Sequence, residues 1–264
     1  MPDFRATATD LDVAVWLATT QLTALARPRE GRLVVTAPPF TALVAPDGPA
    51  YLSVAIAGEP GRPVHDLGDS LTVLAAAFEP HPVRLELIEE SCPGATELVL
   101  AAGAKLERRV PVMTVDTATV AVPAPPAGVR VLVARTLAER GGVASVQAAA
   151  FASDVHEPTG DAPPPTDGGQ VLATVDGVPA ASASWSAVAD GVCEIVAVAT
   201  APGLRGRGLA TLVTAAAVRA AADRAGVALA WLTPAGDDAD RMYRGVGFRR
   251  VATAAHLAYR PGAG

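Results

Sequence analysis

Apolar positions along residues 129–259 recur with two different spacings, and the changes of spacing predict a succession of strands and helices. The strand-like runs are "VRVLVARTL", a hairpin "QVLATVDGVPAASASWSAV" turning at Asp176-Gly177, "VCEIVAVAT", "VALAWLT" and "FRRVATAAHLAY". The helix-like runs are "AERGGVASVQAAAF", a long segment from near Gly206 to a cap at Gly226, and "DDADRMYRGV". This alternation predicts an α/β domain.

The N-terminal half repeats part of this order. Its strand-like runs "RLVVT", "TALVA" and "YLSVAIA" precede the helix-like "LGDSLTVLAAAFE". Residues 81–113 then match residues 226–257 in layout, with a strand, a helix, a glycine turn, a twin arginine and a final strand. The glycine turns fall at Gly103 and Gly247. The proline-rich, uncharged stretch "AVPAPPAG" separates the halves, which predicts a domain at 1–120, a linker at 121–128 and a domain at 129–264.

Length and charge narrow the classes of function. A chain of 264 residues can bury the core of one large or two modest domains. Its net charge of −6 arises in residues 1–127, with 15 acids and 9 bases, whereas residues 128–264 carry 12 of each. Without a basic stripe, nucleic acid is not an expected partner, and a small or cationic acceptor suits the charge better.

The remaining composition argues against a membrane or metal protein. No apolar run reaches the roughly 18 residues of a membrane span, and the N-terminus lacks the pattern of a secretory signal, so a cytoplasmic protein is expected. Cys92 and Cys193 are far apart and are expected to be reduced, and the four histidines lack the spacing of ligand pairs. We therefore assign no metal.

One loop suggests anion binding. In "APGLRGRGLA", Gly206 and Gly208 precede a helix whose free backbone N–H groups and dipole favour a diphosphate, and Arg205 and Arg207 add charge. A dinucleotide fingerprint would need a third glycine, and a P-loop would need Gly-Lys-Ser/Thr; both are missing. An ordinary polar turn remains the alternative.

The surrounding sequence resembles the GNAT N-acetyltransferase superfamily. "VATAPGLRGRGLA" is similar to its acyl-CoA signature Q/R-x-x-G-x-G/A, with Arg205, Gly208 and Ala210 in place. The preceding strand carries Glu194, and "ADRMYRGVGF" resembles the family's A-x-x-x-Y-x-x-x-G-F element, with Tyr243. The likeness covers roughly residues 129–260. It implies a mixed-sheet α/β fold and acetyl-CoA as the acyl donor.

The resemblance also implies which residues hold acetyl-CoA. The CoA pyrophosphate would bind the backbone N–H groups of the loop, and the pantetheine amides would pair with the edge of the preceding strand. The loop residues are Arg205, Gly206, Arg207, Gly208, Leu209 and Ala210, and the strand residues are Val196, Ala197 and Val198.

Acyl transfer to an amine needs a neutral nucleophile, a polarised thioester carbonyl and a proton for the thiolate. Glu194, the charged side chain of an apolar strand, is the candidate base; alternatively it is a strand-edge carboxylate paired with an arginine. Tyr243 is the candidate acid, since the family often places its acid there. Alternatively it is a core aromatic, because it borders an apolar stripe at helical spacing. The stripe residues are Ala239, Met242 and Val246.

Two further sets of residues are compatible with either a functional or a structural role. Asp154, His156 and Glu157, in the acidic segment 154–169, either bind a cationic substrate or are simply solvated. Trp185 either lines the acceptor cleft or is a buried strand aromatic.

The N-terminal half lacks both key motifs. "GEPGRPVHDLGDS" stands where the loop would be, and Val99 aligns with Tyr243. The half therefore looks like a degenerate GNAT-like lobe, in a tandem arrangement like that of mycothiol synthase. The expected protein is an N-acetyltransferase acting on a primary amine of an undetermined small molecule or peptide, as a monomer or weak homodimer. The alternative is a non-catalytic acyl-CoA-binding module.

Overall fold

The computed structural model describes residues 8–27, 31–151 and 168–262. The chain forms two compact units, of which the first is not continuous in sequence. The first contains the described residues up to Val112 and from Arg250 onwards, and the second contains Met113–Arg249. The final strand of the chain thus belongs to the first unit, although it follows the second in sequence.

The elements of the first unit are one long helix, two short helices and a sheet. They are α1 (Asp10–Leu25), β1 (Leu33–Ala37), β2 (Phe40–Val44), β3 (Val54–Ala57), α2 (Ser70–Phe78), β4 (Val83–Ile88), α3 (Ala95–Ala101), the start of β5 (Lys105–Asp116) and most of β11 (Arg249–Tyr259). The sheet runs in the order β1-β2-β3-β4-β11. β3 and β4 are parallel, whereas β11 is antiparallel to β4, with His256 opposite Glu86. Beside that pairing, the Thr253 N–H donates to the Glu90 carboxylate at 2.8 Å.

Alternation along the strands separates the two faces of this sheet. Ala55 and Leu85 face the core that contains α2 and α3, whereas Ile56 and its neighbour Leu43 pack against Leu25 of α1. Helix α1 was not predicted from the sequence. It begins with a capping box in which Thr9 and Asp12 satisfy each other's backbone N–H groups.

The second unit contains the remaining helices and strands. They are β6 (Val129–Val133), α4 (Leu137–Phe151), β7 (Gly169–Val175), β8 (Val178–Trp185), β9 (Val192–Thr200), α5 (Leu209–Ala225), β10 (Leu229–Leu232) and α6 (Asp237–Val246). The sheet order is β6-β7-β8-β9-β10, and the end of β5 follows β10. β9 and β10 are parallel, and the other pairs are antiparallel. The predicted α/β fold with a mixed sheet is confirmed.

Two local predictions also hold in this unit. Asp176 and Gly177 both have positive φ, 51° and 83°, as a two-residue hairpin turn requires. Gly226 ends α5 in the left-handed conformation. Helices α5 and α6 pack on one face of the sheet, over a core built mainly of valine and alanine side chains. α4 packs on the other face, through Val143 and Val146.

The two halves of the sequence exchange strands. Residues Met113–Asp116, at the end of β5, pair antiparallel with β10 in the second unit. Conversely, Ala254–Tyr259 of β11 pair with β4 in the first unit. Each half of the sequence therefore supplies a strand to the sheet of the other half. Among the described residues, no helix is long and apolar enough to cross a membrane.

Candidate functional site

The start of α5 has the features of an anion-binding site. Gly206 and Gly208 have φ of 76° and 75°, and Gly208 caps the helix without a side-chain hydrogen bond. The first helical bond runs from the Leu212 N–H to the Gly208 carbonyl at 3.1 Å, so the N–H groups before Leu212 have no acceptor within the helix. No acidic residue occupies the first turn. The partial positive charge of this terminus is therefore not neutralised by the helix itself.

The space beside these glycines is open. A Cβ on Gly206 or Gly208 would meet no described atom within 4 Å. Arg205 and Arg207 are exposed on either side, and the Arg205 guanidinium reaches the Ala150 carbonyl at 3.5 Å. The loop thus combines free N–H groups, two cations and room for a ligand, which are the requirements of a diphosphate site.

Strands β9 and β10 separate next to this loop. Their parallel pairing covers Val192–Glu194 on β9 and Leu229–Trp231 on β10. Strand β9 continues to Thr200, whereas β10 ends at Leu232. Within the described chain, the β9 edge from Ile195 onwards is therefore not paired with β10, and its backbone is available to an extended ligand. Val196, Ala197 and Val198, the predicted pantetheine contacts, lie on this stretch.

A bulge interrupts β9 at the same place. Ser182 is opposite Ala199 and Ser184 is opposite Val196, so Ala197 and Val198 together face one residue of β8. Ala197 has a φ of 51°, which costs a non-glycine residue about 1–2 kcal/mol. Strain of this kind often marks functional positions.

Glu194 lies at the last paired position of β9. Cys193 and Ile195, on either side of it, belong to the core beneath α5 and α6, so alternation directs the Glu194 side chain to the opposite face. Trp231 is its register partner on that face and is buried. Ser186 fixes the backbone there: its hydroxyl accepts from the Glu194 N–H, and its N–H donates to the Glu194 carbonyl, both at 2.9 Å.

The Glu194 carboxylate also acts on its neighbour. Burial raises the pKa of the Cys193 thiol to about 12, and the charge of Glu194 contributes to the rise. Cys193 is therefore a neutral thiol and not a reactive nucleophile.

Tyr243 belongs to the core of the second unit. Its side chain is 8% exposed, and its ring packs edge-on against Phe248 with centroids 5.9 Å apart. Burial raises the pKa of its hydroxyl to about 12. Because Tyr243 is in the α5–α6 core, it and Glu194 lie on opposite faces of the sheet, with the unpaired edge of β9 between them.

The structure bears differently on the remaining candidate residues from the sequence. Trp185 is 5% exposed and packs so closely on Gly169 that a Cβ there would lie 2.1 Å from its ring, which favours the buried strand aromatic over a cleft residue. Asp154, His156 and Glu157 lie outside the described residues. No three His, Cys, Asp or Glu side chains of the described part of the chain gather as a metal site would require.

Sequence reasoning missed Gln147, on α4. Its side-chain amide lies 3.4 Å from both the Ala197 carbonyl and the Ser184 hydroxyl. The available signal was a single long polar residue in the otherwise small and apolar run "VASVQAAAF".

The first unit has a different structure at the corresponding place. The segment after β3 bonds to the residues after β4: the Gly61 N–H donates to the Ser91 carbonyl at 2.7 Å, and the Val64 N–H to the Pro93 carbonyl at 2.8 Å. A Cβ on Gly94, which precedes α3, would lie 2.6 Å from the Val64 carbonyl oxygen. Val99, which aligns with Tyr243, is fully buried. The chain itself therefore occupies the space beside β4.

Comparisons with known proteins found one matching family model and several similar structures. The sequence model of the acetyltransferase (GNAT) family matches residues 146–248. A GCN5-related N-acetyltransferase from Kribbella flavida is 37% identical, with a TM-score of 0.84, and the match covers 95% of this chain and 96% of that one. No curated protein matches significantly.

Two more distant structures share the fold. A tandem GNAT protein from the clavulanic acid biosynthesis pathway is 14% identical, with a TM-score of 0.60 over 97% of this chain and 98% of that one. A GCN5-related N-acetyltransferase from Sphaerobacter thermophilus is 18% identical, with a TM-score of 0.59 over 95% and 92%.

Proposed function

Because the chain belongs to the GNAT acetyltransferase family, we propose that its second unit transfers an acetyl group from acetyl-CoA to a primary amine of a small molecule or peptide. The observation that carries this proposal is the open edge of β9 beside the glycine-rich start of α5, where no side chain caps the helix. Together they offer amide pairing for pantetheine and N–H groups for the pyrophosphate of one extended molecule.

Acetyl-CoA supplies an activated acyl group as a thioester. The N–H groups from Arg205 to Ala210 and the two arginines would hold its pyrophosphate. The edge at Val196–Val198 would hold the pantetheine amides. The open space at Gly206 and Gly208, where a Cβ meets nothing within 4 Å, supports this fit.

Glu194 would act as the base. The acceptor amine must lose a proton as its nitrogen bonds to the carbonyl carbon and the carbon–sulfur bond breaks. The carboxylate side chain is at the point where β9 and β10 part, on the face away from α5, and would take that proton directly or through water. The bulge on β9 would polarise the thioester carbonyl through a backbone N–H.

Tyr243 would donate a hydrogen bond to the departing sulfur from the face of the sheet that carries α5 and α6. Its hydroxyl, with a pKa of about 12, stays neutral and is a permanent hydrogen-bond donor. Full transfer of its proton to a thiolate of ordinary pKa, about 8.5, would be uphill by about 5 kcal/mol. We therefore assign Tyr243 a hydrogen bond that stabilises the developing thiolate, whose proton comes in the end from the amine or from water.

Thiol release from acetyl-CoA tests this function. The purified chain is assayed with a panel of simple amines, polyamines, aminoglycosides and peptide N-termini, beside Glu194→Gln. Release that depends on an amine and falls in the variant supports the proposal and identifies the acceptor class. Acetyl-CoA binding without release under any amine would contradict it and favour the non-catalytic acyl-CoA-binding module.

A further inference from the structure

Gln147 connects α4 to the bulge of β9. Its Nε2 donates to the Ala197 carbonyl and to the Ser184 hydroxyl, each at 3.4 Å. Ser184 is 9% exposed and Gln147 is partly buried. Val143 and Val146 of the same helix pack into the apolar core on this face. The amide of Gln147 is therefore directed at one carbonyl of β9 from an otherwise apolar helix face.

The bulge needs such a contact because its sequence disfavours it. A bulge residue in the left-handed region is usually glycine, and here it is Ala197, with a φ of 51°. This conformation costs about 1–2 kcal/mol, similar to the net worth of one or two neutral hydrogen bonds. The Gln147 hydrogen bond to the Ala197 carbonyl offsets part of that cost, and only in the bulged conformation.

The same hydrogen bond orients a donor. In a trans peptide, the C=O of one residue and the N–H of the next point in opposite directions. Holding the Ala197 carbonyl toward α4 therefore fixes the Val198 N–H to the side away from Gln147. We propose that Gln147 is a positioning residue, which holds the Ala197–Val198 peptide so that the bulge can hydrogen-bond the acyl carbonyl. This inference rests on the proposed function of the same site.

The test uses the full chain and acetyl-CoA labelled with carbon-13 at the thioester carbonyl. A hydrogen bond to that carbonyl lowers its infrared stretching frequency. The bound ligand therefore reports polarisation of the thioester carbonyl in the absence of any amine substrate. Gln147→Met keeps the length of the side chain but removes the donor, and Gln147→Glu keeps the shape but places an acceptor against the Ala197 carbonyl. Ser184→Ala is the matched control, because it removes the other partner of Gln147.

We expect the carbonyl frequency of acetyl-CoA bound to wild type to be lower than that of free acetyl-CoA. Gln147→Met and Gln147→Glu should lose that shift, while their affinity for acetyl-CoA stays within about twofold of wild type. Ser184→Ala should retain the shift. With an accepted amine, kcat should fall about tenfold or more in the two Gln147 variants without a matching rise in KM. Adding Ala197→Gly to Gln147→Met should restore part of the shift, because glycine adopts the bulge conformation at little cost.

The outcomes of these measurements distinguish a failure of the inference about Gln147 from a failure of the proposed function. A shift that survives both Gln147 substitutions overturns the inference and leaves the proposed function intact. Equal losses in Ser184→Ala and Gln147→Met also overturn it, since the effect would then come from general packing. Failure of wild type to bind acetyl-CoA overturns the proposed function and this inference with it. If Gln147→Met melts well below wild type, Gln147→Glu and the Ala197→Gly rescue decide.

Discussion

Replacing Gly208 by alanine separates the backbone role of this glycine from its role in binding. A Cβ at Gly208 would touch no described atom within 4 Å, so the substitution creates no clash with the protein. What remains is a φ of 75°, which costs alanine about 1–2 kcal/mol. For a chain of this size that predicts a fall in Tm of roughly 2–8 °C.

Gly226 at the other end of α5 is a matched control. Its φ is 66°, and a Cβ there also meets nothing within 4 Å. Gly226→Ala should therefore lose a similar free energy of unfolding. Because Gly226 lies at the opposite end of α5 from the loop 205–210, Gly226→Ala should leave the affinity for acetyl-CoA unchanged.

The affinity of Gly208→Ala should fall. A Cβ at the helix start would displace the pyrophosphate and remove one or two charge-assisted hydrogen bonds, each worth about 1.5–3 kcal/mol. The expected loss is about 100-fold in Kd by calorimetry. Acetyl-pantetheine, which lacks the pyrophosphate, should bind wild type and variant alike. Equal acetyl-CoA affinity in Gly208→Ala and Gly226→Ala would refute the phosphate site.

Three further predictions concern catalysis and assembly. At pH values below the pKa of the acceptor amine, Glu194→Gln should lower kcat by a factor of about 10² or more, and a wild-type kcat in this pH range would show that Glu194 is not the base. Tyr243→Phe should lower kcat by a constant factor across neutral pH; it should also abolish a fall of up to about 3 kcal/mol in unfolding free energy between pH 10 and about 12, because the raised pKa favours the neutral folded form. The fragment 128–264 should aggregate, because it lacks Met113–Asp116, whereas the full chain should bind one acetyl-CoA by calorimetry; a soluble, active fragment or two equivalent sites would contradict this.

The sequence predicts the second unit well because its signals are local. Strong alternation, the Asp176-Gly177 turn and the Gly226 cap each depend on a few neighbouring residues, and the elements begin and end within a few residues of the expected places. Helix α1 was missed although its start carries Thr9-x-x-Asp12, a recognisable capping box. Its threonines and valines favour strands, and they concealed the helical period.

The finer geometry of the site depends on contacts that have no local signal. Ala197 adopts a conformation that its sequence does not announce, and Gln147 meets it only after α4 packs on the sheet. Tyr243 was expected from a family motif, but its burial and raised pKa follow from the packing of α6. The exchange of β5 and β11 was equally hidden, since periodicity predicts a strand but not its partner.

The exchange of strands sets an order of events during synthesis. The ribosome makes β4 early, but its antiparallel partner β11 is the last strand of the described chain. At about 5–20 residues per second, translation from Val112 to Arg250 takes roughly 7–30 s, during which one edge of β4 has no native partner. That edge belongs to the apolar strand "VRLELI", the kind of edge that pairs with foreign strands. The first unit can complete its sheet only after β11 has been made. Until β11 emerges, the free edge of β4 avoids foreign strands only if their association is slow or if chaperones cover it.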